Sequence, residues 1–393
     1  MHCTNTLNSL FIENDGFIYP CFATTSRLGP SLITHLGKPL HVSELTSETM
    51  LNWDGLVALR SSLAQGKWPA PCSKCRLLEE QGFSSTRSSQ PDHEGGPRLE
   101  IIHLRLGNKC NLRCVMCGPN ASNQWYNDYV AITDSQTFDV GNYSYQLEKK
   151  GKKYHLESDR FNFVEDEKLA EILALSSTNV REINFHGGEP MLSKAHHRLI
   201  DRLIDLRLSN QINLSYHTNG TVADTVMLDK LSNFRSVTIQ LSLDGIKEIN
   251  DAVRWPSKYD MIMNNIDLMR EKTNNFSFNV VHTLHMLNAE HLPTFIQEMK
   301  EKGLEISINP VIDPGHISLG GLLSKQQTIR LKDKLGDSLS SVIDQSVGFG
   351  ASDNKLIQNR NTFKRLWNHL SLKQSQDWSE LFPLANTFME EWQ

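Results

Sequence analysis

Seven cysteines in 393 residues fall into two groups with none left over: Cys110, Cys114 and Cys117 in the run CNLRCVMC, and Cys3, Cys21, Cys72 and Cys75 upstream. The first three lie on one short stretch able to wrap a single small body. Three thiols cannot pair into disulfides without a remainder, and the odd total sharpens that objection. A cubane iron-sulfur cluster takes one terminal ligand on each of its four irons, so three thiolates leave one iron open and four thiolates close the shell. The arithmetic therefore predicts a reactive cluster at the first group and a fully held one at the second. Tetrahedral zinc stays open as an alternative at both: the first group would want a fourth ligand from elsewhere, and Cys72-Ser73-Lys74-Cys75 supplies half of a ribbon-type site.

A chain of this length can bury one large core, or a core plus a smaller module. Its hydrophobic content of 39% is ordinary for a soluble protein, and a net charge of -5 gives no basic surplus for phosphate backbones, so no nucleic acid is expected as a partner. No apolar run approaches bilayer length, and the opening MHCTNTLNSLF lacks the charged and apolar regions of a signal peptide. A reducing cytoplasm with no membrane attachment is the expected setting, and it suits thiolate-bound iron.

Residues 1–83 read as a small module. SLFI and FIYP flank Asn14-Asp15-Gly16, a hairpin turn signal, and Cys21 follows the second of them. Residues 84–98, SSTRSSQPDHEGGPR, concentrate Ser, Pro and Gly without apolar period and read as a linker. Strand-like runs then alternate with helix-like ones at 99–106, 181–186, 212–217, 237–243, 276–283 and 304–310. Six such strands argue a parallel α/β sheet, curved or closed, over residues 99–320. One crossover helix is marked by Leu292, Phe295, Ile296 and Met299, with Gly303 as its C-terminal stop. Residues 133–165 read as a polar insertion whose run Lys149-Lys150-Gly151-Lys152-Lys153 is a solvated loop. Residues 321–393 read as a helical extension, with Trp367, Trp378, Phe382 and Trp392 as packing residues.

CNLRCVMC follows the first strand after only Gly107, Asn108 and Lys109, which puts the cysteines at the carboxyl end of a barrel strand, where such barrels keep their active sites. This CxxxCxxC loop resembles the signature of the radical S-adenosylmethionine (radical SAM) enzymes. His186-Gly187-Gly188-Glu189-Pro190, ending the second strand, resembles that family's GGEP element, which binds the amino group of the methionine moiety. Thr218-Asn219-Gly220 and Ser242-Leu243-Asp244-Gly245 close the third and fourth strands and resemble segments lining the cofactor's ribose and carboxylate. Arg254, in DAVRW, resembles the basic residue near that carboxylate, and Met116 stands where many members carry an aromatic ring against adenine. The resemblance implies a partial (β/α)6 barrel of TIM-like type. Cys110, Cys114 and Cys117 would be the catalytic metal ligands, and Met116, Gly187, Gly188, Glu189, Asn219, Ser242, Asp244 and Arg254 would bind the cofactor.

The chemistry so implied is reductive cleavage of S-adenosylmethionine at a 4Fe-4S cluster, giving a 5′-deoxyadenosyl radical that abstracts hydrogen from a substrate. The upstream group, Cys3, Cys21, Cys72 and Cys75, resembles the ligands of SPASM and twitch modules, which bind auxiliary 4Fe-4S clusters. Four cysteines fill one cluster, so an N-terminal twitch module is the closer likeness. Relatives act on peptide or protein side chains and backbones, the expected substrates here. Small molecules such as aminocyclitols and sugars are the alternative, and a zinc-binding scaffold without catalysis is the other. A reductant such as flavodoxin or ferredoxin is implied as a partner. His217, His282 and His285 lie on or just after barrel strands and read as wall residues, while His196-His197 reads as a helix surface.

Overall fold

The computed structural model describes residues 1–25, 34–80, 82–91, 93, 95–140, 143–158, 160–165, 167–272, 274–348 and 350–392. All six expected strands are present: Ile101–Arg105, Glu182–His186, Asn213–Thr218, Ser236–Ser242, Phe276–Leu284 and Glu305–Pro310. They pair in chain order and in parallel, with Ile102 opposite Ile183 and Leu241 opposite Val280. Strict alternation explains the curvature's two faces. Ile102, Leu104, Ile183, Phe185, Leu214, Tyr216, Val237 and Ile239 are buried in one apolar cluster with the covering helices. The alternate residues His103, Arg105, Asn184, His186, His217 and Ser242 line a cavity on the concave side. The crossover helix Leu292–Glu301 buries Leu292, Phe295 and Met299, and Gly303 at φ 66° lets Leu304 N–H reach back to the Met299 carbonyl at 2.9 Å.

The N-terminal segment departs from the expected separate module. Ser9–Ile12 adds to the barrel sheet in parallel beside Ile101–Arg105, and Ile18–Tyr19 pairs with it in antiparallel fashion at the sheet's edge. Leu10, Ile12 and Ile18 belong to the same apolar cluster as the barrel strands. Strands of four and two residues are too short to build a core of their own, so they borrow the barrel's. Described residues between 84 and 98 run against that segment: Arg98 N–H bonds the Leu7 carbonyl at 2.9 Å, and Thr4 Oγ1 donates to Pro91 O at 2.8 Å.

The insertion also differs from a solvated loop. It forms a meander of Thr137–Val140, Tyr143–Lys150 and Lys153–Leu156, with Phe138, Val140, Tyr145, Leu147 and Phe161 as its own buried cluster. Its lysine run is the exposed turn of the second hairpin, as expected. Residues 319–390 are largely helical, and Trp367, Trp378, Phe382 and Trp392 are buried. Among the described residues no helix is long and apolar enough to cross a membrane.

The insertion docks on the turn after Ser9–Ile12 through Asp15, which is fully buried and accepts a hydrogen bond from Tyr145 Oη at 2.7 Å. Burial pushes the Asp15 carboxyl up to about 6, outweighing the Tyr145 bond, and the nearby Glu13 charge adds to the rise. A folded-state value above the unfolded one near 3.9 means stability present at low pH and lost as pH climbs through about 6. Asp15→Asn is therefore expected to match the parent below about pH 4 and to be more stable by about 3 kcal/mol above pH 6. Urea unfolding at pH 4 and pH 8 reads the difference, and an equal gain at both pH values would refute it.

Candidate active site

Cys110, Cys114 and Cys117 are held by a loop pinned on three sides. Arg113 N–H and Val115 N–H bond the carbonyls of Trp255 and Val253 at 2.7 and 2.8 Å, Ser122 Oγ donates to Leu112 O at 2.6 Å, and Trp125 Nε1 donates to Cys114 O at 3.1 Å. From outside, the long helix Asp353–Gln374 braces the following helix Tyr126–Thr133 by placing His369 and Lys373 on the buried Asp128 carboxylate, which Arg113 also reaches at 3.1 Å. Burial works against ionising Asp128, yet His369, Lys373 and Arg113 together hold its carboxyl down at about 2. The fold thus anchors the loop while leaving its thiols open to a cavity of about 660 Å³.

The three thiols resist ionising together. Burial pushes Cys110 up to about 12, with Cys114 adding to it. Cys114 and Cys117 hydrogen-bond each other, which draws Cys114 down and drives Cys117 up. Arg254 Nη1 lies 3.6 Å from Cys114 Sγ and favours its thiolate. Three thiolates here need a positive body between them, which an iron cluster supplies.

Gly187 and Gly188, at φ 70° and 51°, form the facing wall. A Cβ on Gly188 would lie 2.5 Å from the Lys109 carbonyl oxygen, and one on Gly187 would lie 2.3 Å from Asn14 Oδ1. Only glycine lets the backbone approach the cysteine loop this closely. Gly188→Ala is expected to cost about 1–3 kcal/mol from the left-handed backbone and the carbonyl clash. It should also weaken S-adenosylmethionine binding at least about tenfold. Thermal unfolding and equilibrium dialysis of the reconstituted protein check both, and an unchanged affinity would reject this wall as a ligand cradle.

Glu189 does not face the cavity. Its buried carboxylate accepts from Thr218 Oγ1 at 2.8 Å, Asn219 N–H at 2.9 Å and Met191 N–H at 3.2 Å, so it ties the ends of the second and third strands together. Burial raises its pKa against those bonds. Asp244 is likewise withdrawn: it pairs with Arg254 Nη2 at 2.6 Å and accepts Thr283 N–H at 2.6 Å. Arg254 does line the cavity, with its Nε buried and without a partner. Burial works against its charge, but Asp244, Cys114 and Cys117 push its pKa up. Asn219 lines the cavity beside Cys110, as do Met116 and Ser242. The expected cofactor contacts thus divide: Met116, Gly187, Gly188, Asn219, Ser242 and Arg254 face the cavity, while Glu189 and Asp244 orient those that do.

Other residues were not expected from the sequence to line the cavity. Phe11, Asn14 and Phe22 reach it from the N-terminal segment, and His103, Arg105, Asn184 and His186 from the first two barrel strands. The period-two alternation of IIHLR and EINFH carries the signal for the latter set; nothing local marks the former. His217 lines the cavity, whereas His282 and His285 are buried behind the wall, His282 against Phe295 at 4.6 Å. His196, expected on a helix surface, is fully buried and bonds Tyr216 Oη at 2.8 Å.

A second, smaller cavity of about 20 Å³ is lined by Cys3, Cys21, Cys72 and Cys75 together, with Trp68 and Arg87. Among the described residues no cysteine forms a disulfide. Cys3 does not fray: it is buried, and its carbonyl accepts from Thr6 N–H at 3.1 Å and Thr6 Oγ1 at 2.8 Å. Burial, then Cys3 and Cys75, pushes the Cys72 thiol up to about 12. Arg87 stacks over Trp68 at 5.4 Å and pairs with Glu79 at the cavity's rim.

Residues 104–299 match the model of the Radical SAM superfamily. A protein of Archaeoglobus fulgidus described as uncharacterized is 29% identical over 147 residues, covering 37% of this chain and 33% of that protein. The chain thus spans about a third of the length of the curated relative it matches. Among solved structures, native anSMEcpe with bound AdoMet is 15% identical, with 70% of this chain and 62% of that one covered and a TM-score of 0.38. Streptococcus suis SuiB bound to S-adenosylmethionine is 14% identical, with 72% and 57% covered and a TM-score of 0.38.

Proposed function

We propose, on the premise that this chain carries a Radical SAM superfamily domain and is an enzyme using S-adenosylmethionine, that the larger cavity is its radical-generating active site and the smaller one an auxiliary cluster site. The observation that carries the reading is the convergence of Cys110, Cys114 and Cys117 with Gly187, Gly188 and Arg254 on one cavity continuous with the barrel lumen. The residues fit the groups: three clustered thiols for a 4Fe-4S cluster and an unpartnered buried guanidinium nitrogen for the cofactor's carboxylate. When bound, that pair supplies one-electron cleavage to a radical that abstracts hydrogen.

The chain's own residues bind and orient. Asp244 fixes the Arg254 guanidinium, so its open edge meets a carboxylate at little entropic cost. Gly187 and Gly188 bring backbone groups to the cofactor's amino end, and Met116 offers a polarisable contact for adenine. The barrel lumen beside these residues is where the substrate would be held. In the resemblance that substrate is a peptide or protein group, with a small hydroxylated molecule as the alternative.

Cys3, Cys21, Cys72 and Cys75 would hold a second 4Fe-4S cluster in a twitch-type arrangement, fully ligated and so fitted to relay electrons rather than grip substrate. Flavodoxin or ferredoxin would supply electrons in a reducing cytoplasm. Anaerobic reconstitution tests the whole reading. About two cubanes' worth of iron and sulfide, with 5′-deoxyadenosine formed under dithionite, would support it. Bound zinc and no cleavage would sink it.

A further inference from the structure

The cavity that holds the cysteine loop is lined by two guanidinium groups, Arg105 and Arg254, and among the described residues by no carboxylate. Arg254 already has an occupant, the cofactor's carboxylate. Arg105 has none. It ends the first barrel strand beside Gly187, where an added Cβ would lie 3.0 Å from Arg105 Cβ, whereas Arg254 stands at Cys114 after the fourth strand. Burial holds the imidazoles of His103 and His217 down at about 4, with the Arg105 charge adding to it, so near neutral pH these neighbours are uncharged. Arg105 therefore supplies the positive charge on its side of the lumen.

A buried acid fixes that guanidinium, as Asp244 fixes Arg254. Arg105 Nη1 donates to both oxygens of Glu13, at 3.0 and 3.1 Å, and Asn14 N–H donates to the same carboxylate at 2.9 Å. Glu13 is 3% exposed, but the Arg105 side chain keeps 34% of its surface. Among the described residues no acceptor takes its Nε or Nη2, so that edge is free. Two parallel N–H groups on one edge match a single carboxylate, and a guanidinium already held in place loses little freedom on binding it. Glu13 offsets part of the charge, which favours one negative charge over two. Apolar surface lies alongside: Arg105 sits 5.5 Å over the Phe11 ring, and Phe22, 42% exposed, lines the same cavity.

We propose that Arg105 is a substrate-recognising residue and that the substrate carries a carboxylate, bound by the Nε–Nη2 edge while its apolar part lies against Phe22. The inference rests on the radical reading only in identifying what binds there as the substrate.

The test is saturation-transfer NMR on the reconstituted, S-adenosylmethionine-bound protein, with phenylacetate against phenylacetamide, phenethylammonium and benzylphosphonate. Saturable binding of phenylacetate is expected, roughly tenfold or more tighter than that of the amide. Arg105→Gln should lose that margin, but it leaves Glu13 buried without its partner. The double substitution Arg105→Gln with Glu13→Gln removes both charges and should show the same loss in a folded chain. Arg105→Lys, which keeps the charge but not the fork, should retain part of the binding. Preference for the amide, the ammonium or the phosphonate, absence of saturable phenylacetate binding, or unchanged binding in the double variant would each overturn the proposal. So would a tenfold loss of S-adenosylmethionine affinity in the double variant, which would place Arg105 on the cofactor. Formation of 5′-deoxyadenosine by the unsubstituted protein is measured apart, and its absence would overturn the radical reading while leaving the measured selectivity as it stands.

Discussion

A chain carrying Cys110→Ala, Cys114→Ala and Cys117→Ala is expected to form no 5′-deoxyadenosine under dithionite, to lose about half of its reconstituted iron, and to remain folded. The loss should be total because no other thiol lines the cavity that holds Gly187, Gly188 and Arg254. Folding should survive because the loop is fixed by groups outside the thiols: the backbone bonds to Val253 and Trp255, and the Trp125 and Ser122 bonds to loop carbonyls. Removing Cys114 does leave Arg254 without its sulfur neighbour, but the Asp244 pair at 2.6 Å persists and keeps the guanidinium matched. The measurement is single-turnover cleavage beside iron analysis and circular dichroism. Cleavage that persisted in a folded variant would place the radical chemistry somewhere other than this loop.

The parts of the molecule legible in the sequence were those where a local pattern repeats. IIHLR, EINFH and SVTIQLS alternate apolar and polar residues, and that period alone places His103, His186 and Ser242 on one face and Ile102, Phe185 and Leu241 on the other. What stayed hidden depends on partners distant in sequence. SLFI is half of the hairpin that Asn14-Asp15-Gly16 marks, pairing with Ile18–Tyr19, but its other, parallel partner is Ile101–Arg105, more than eighty residues on. Asn14 is the turn residue its sequence marks, and its place beside Gly187 comes only from that second pairing. Tyr143, Tyr145 and Leu147 keep strand period too, but the lysines after them raise the average polarity and hid a small folded meander. Glu189 shows a different failure: the motif's carboxylate is present, and only the fold reveals that three internal donors consume it.

Replacing Cys72 and Cys75 by alanine is expected to have the opposite split: cleavage of S-adenosylmethionine continues, while substrate-derived product falls roughly 100-fold or more. The two cavities share no lining residue, so the loop of Cys110, Cys114 and Cys117 should not feel the change directly. They are nonetheless joined by one chain segment, because Cys21 lines the smaller cavity while Phe22, next to it, lies in the lumen 5.3 Å from His103. A closed cluster there would sit one residue from the substrate wall, placed to take up the electron left on the substrate after hydrogen abstraction. Losing it would strand that electron and let cleavage run without turnover. Cys75 is buried, so alanine there also opens a small void costing about 1 kcal/mol, too little to unfold the chain. Product and 5′-deoxyadenosine quantified in the same reaction give the ratio that decides. Loss of both together would mean that the four-cysteine site is needed for the radical step itself, and retention of both would leave it without a part in turnover.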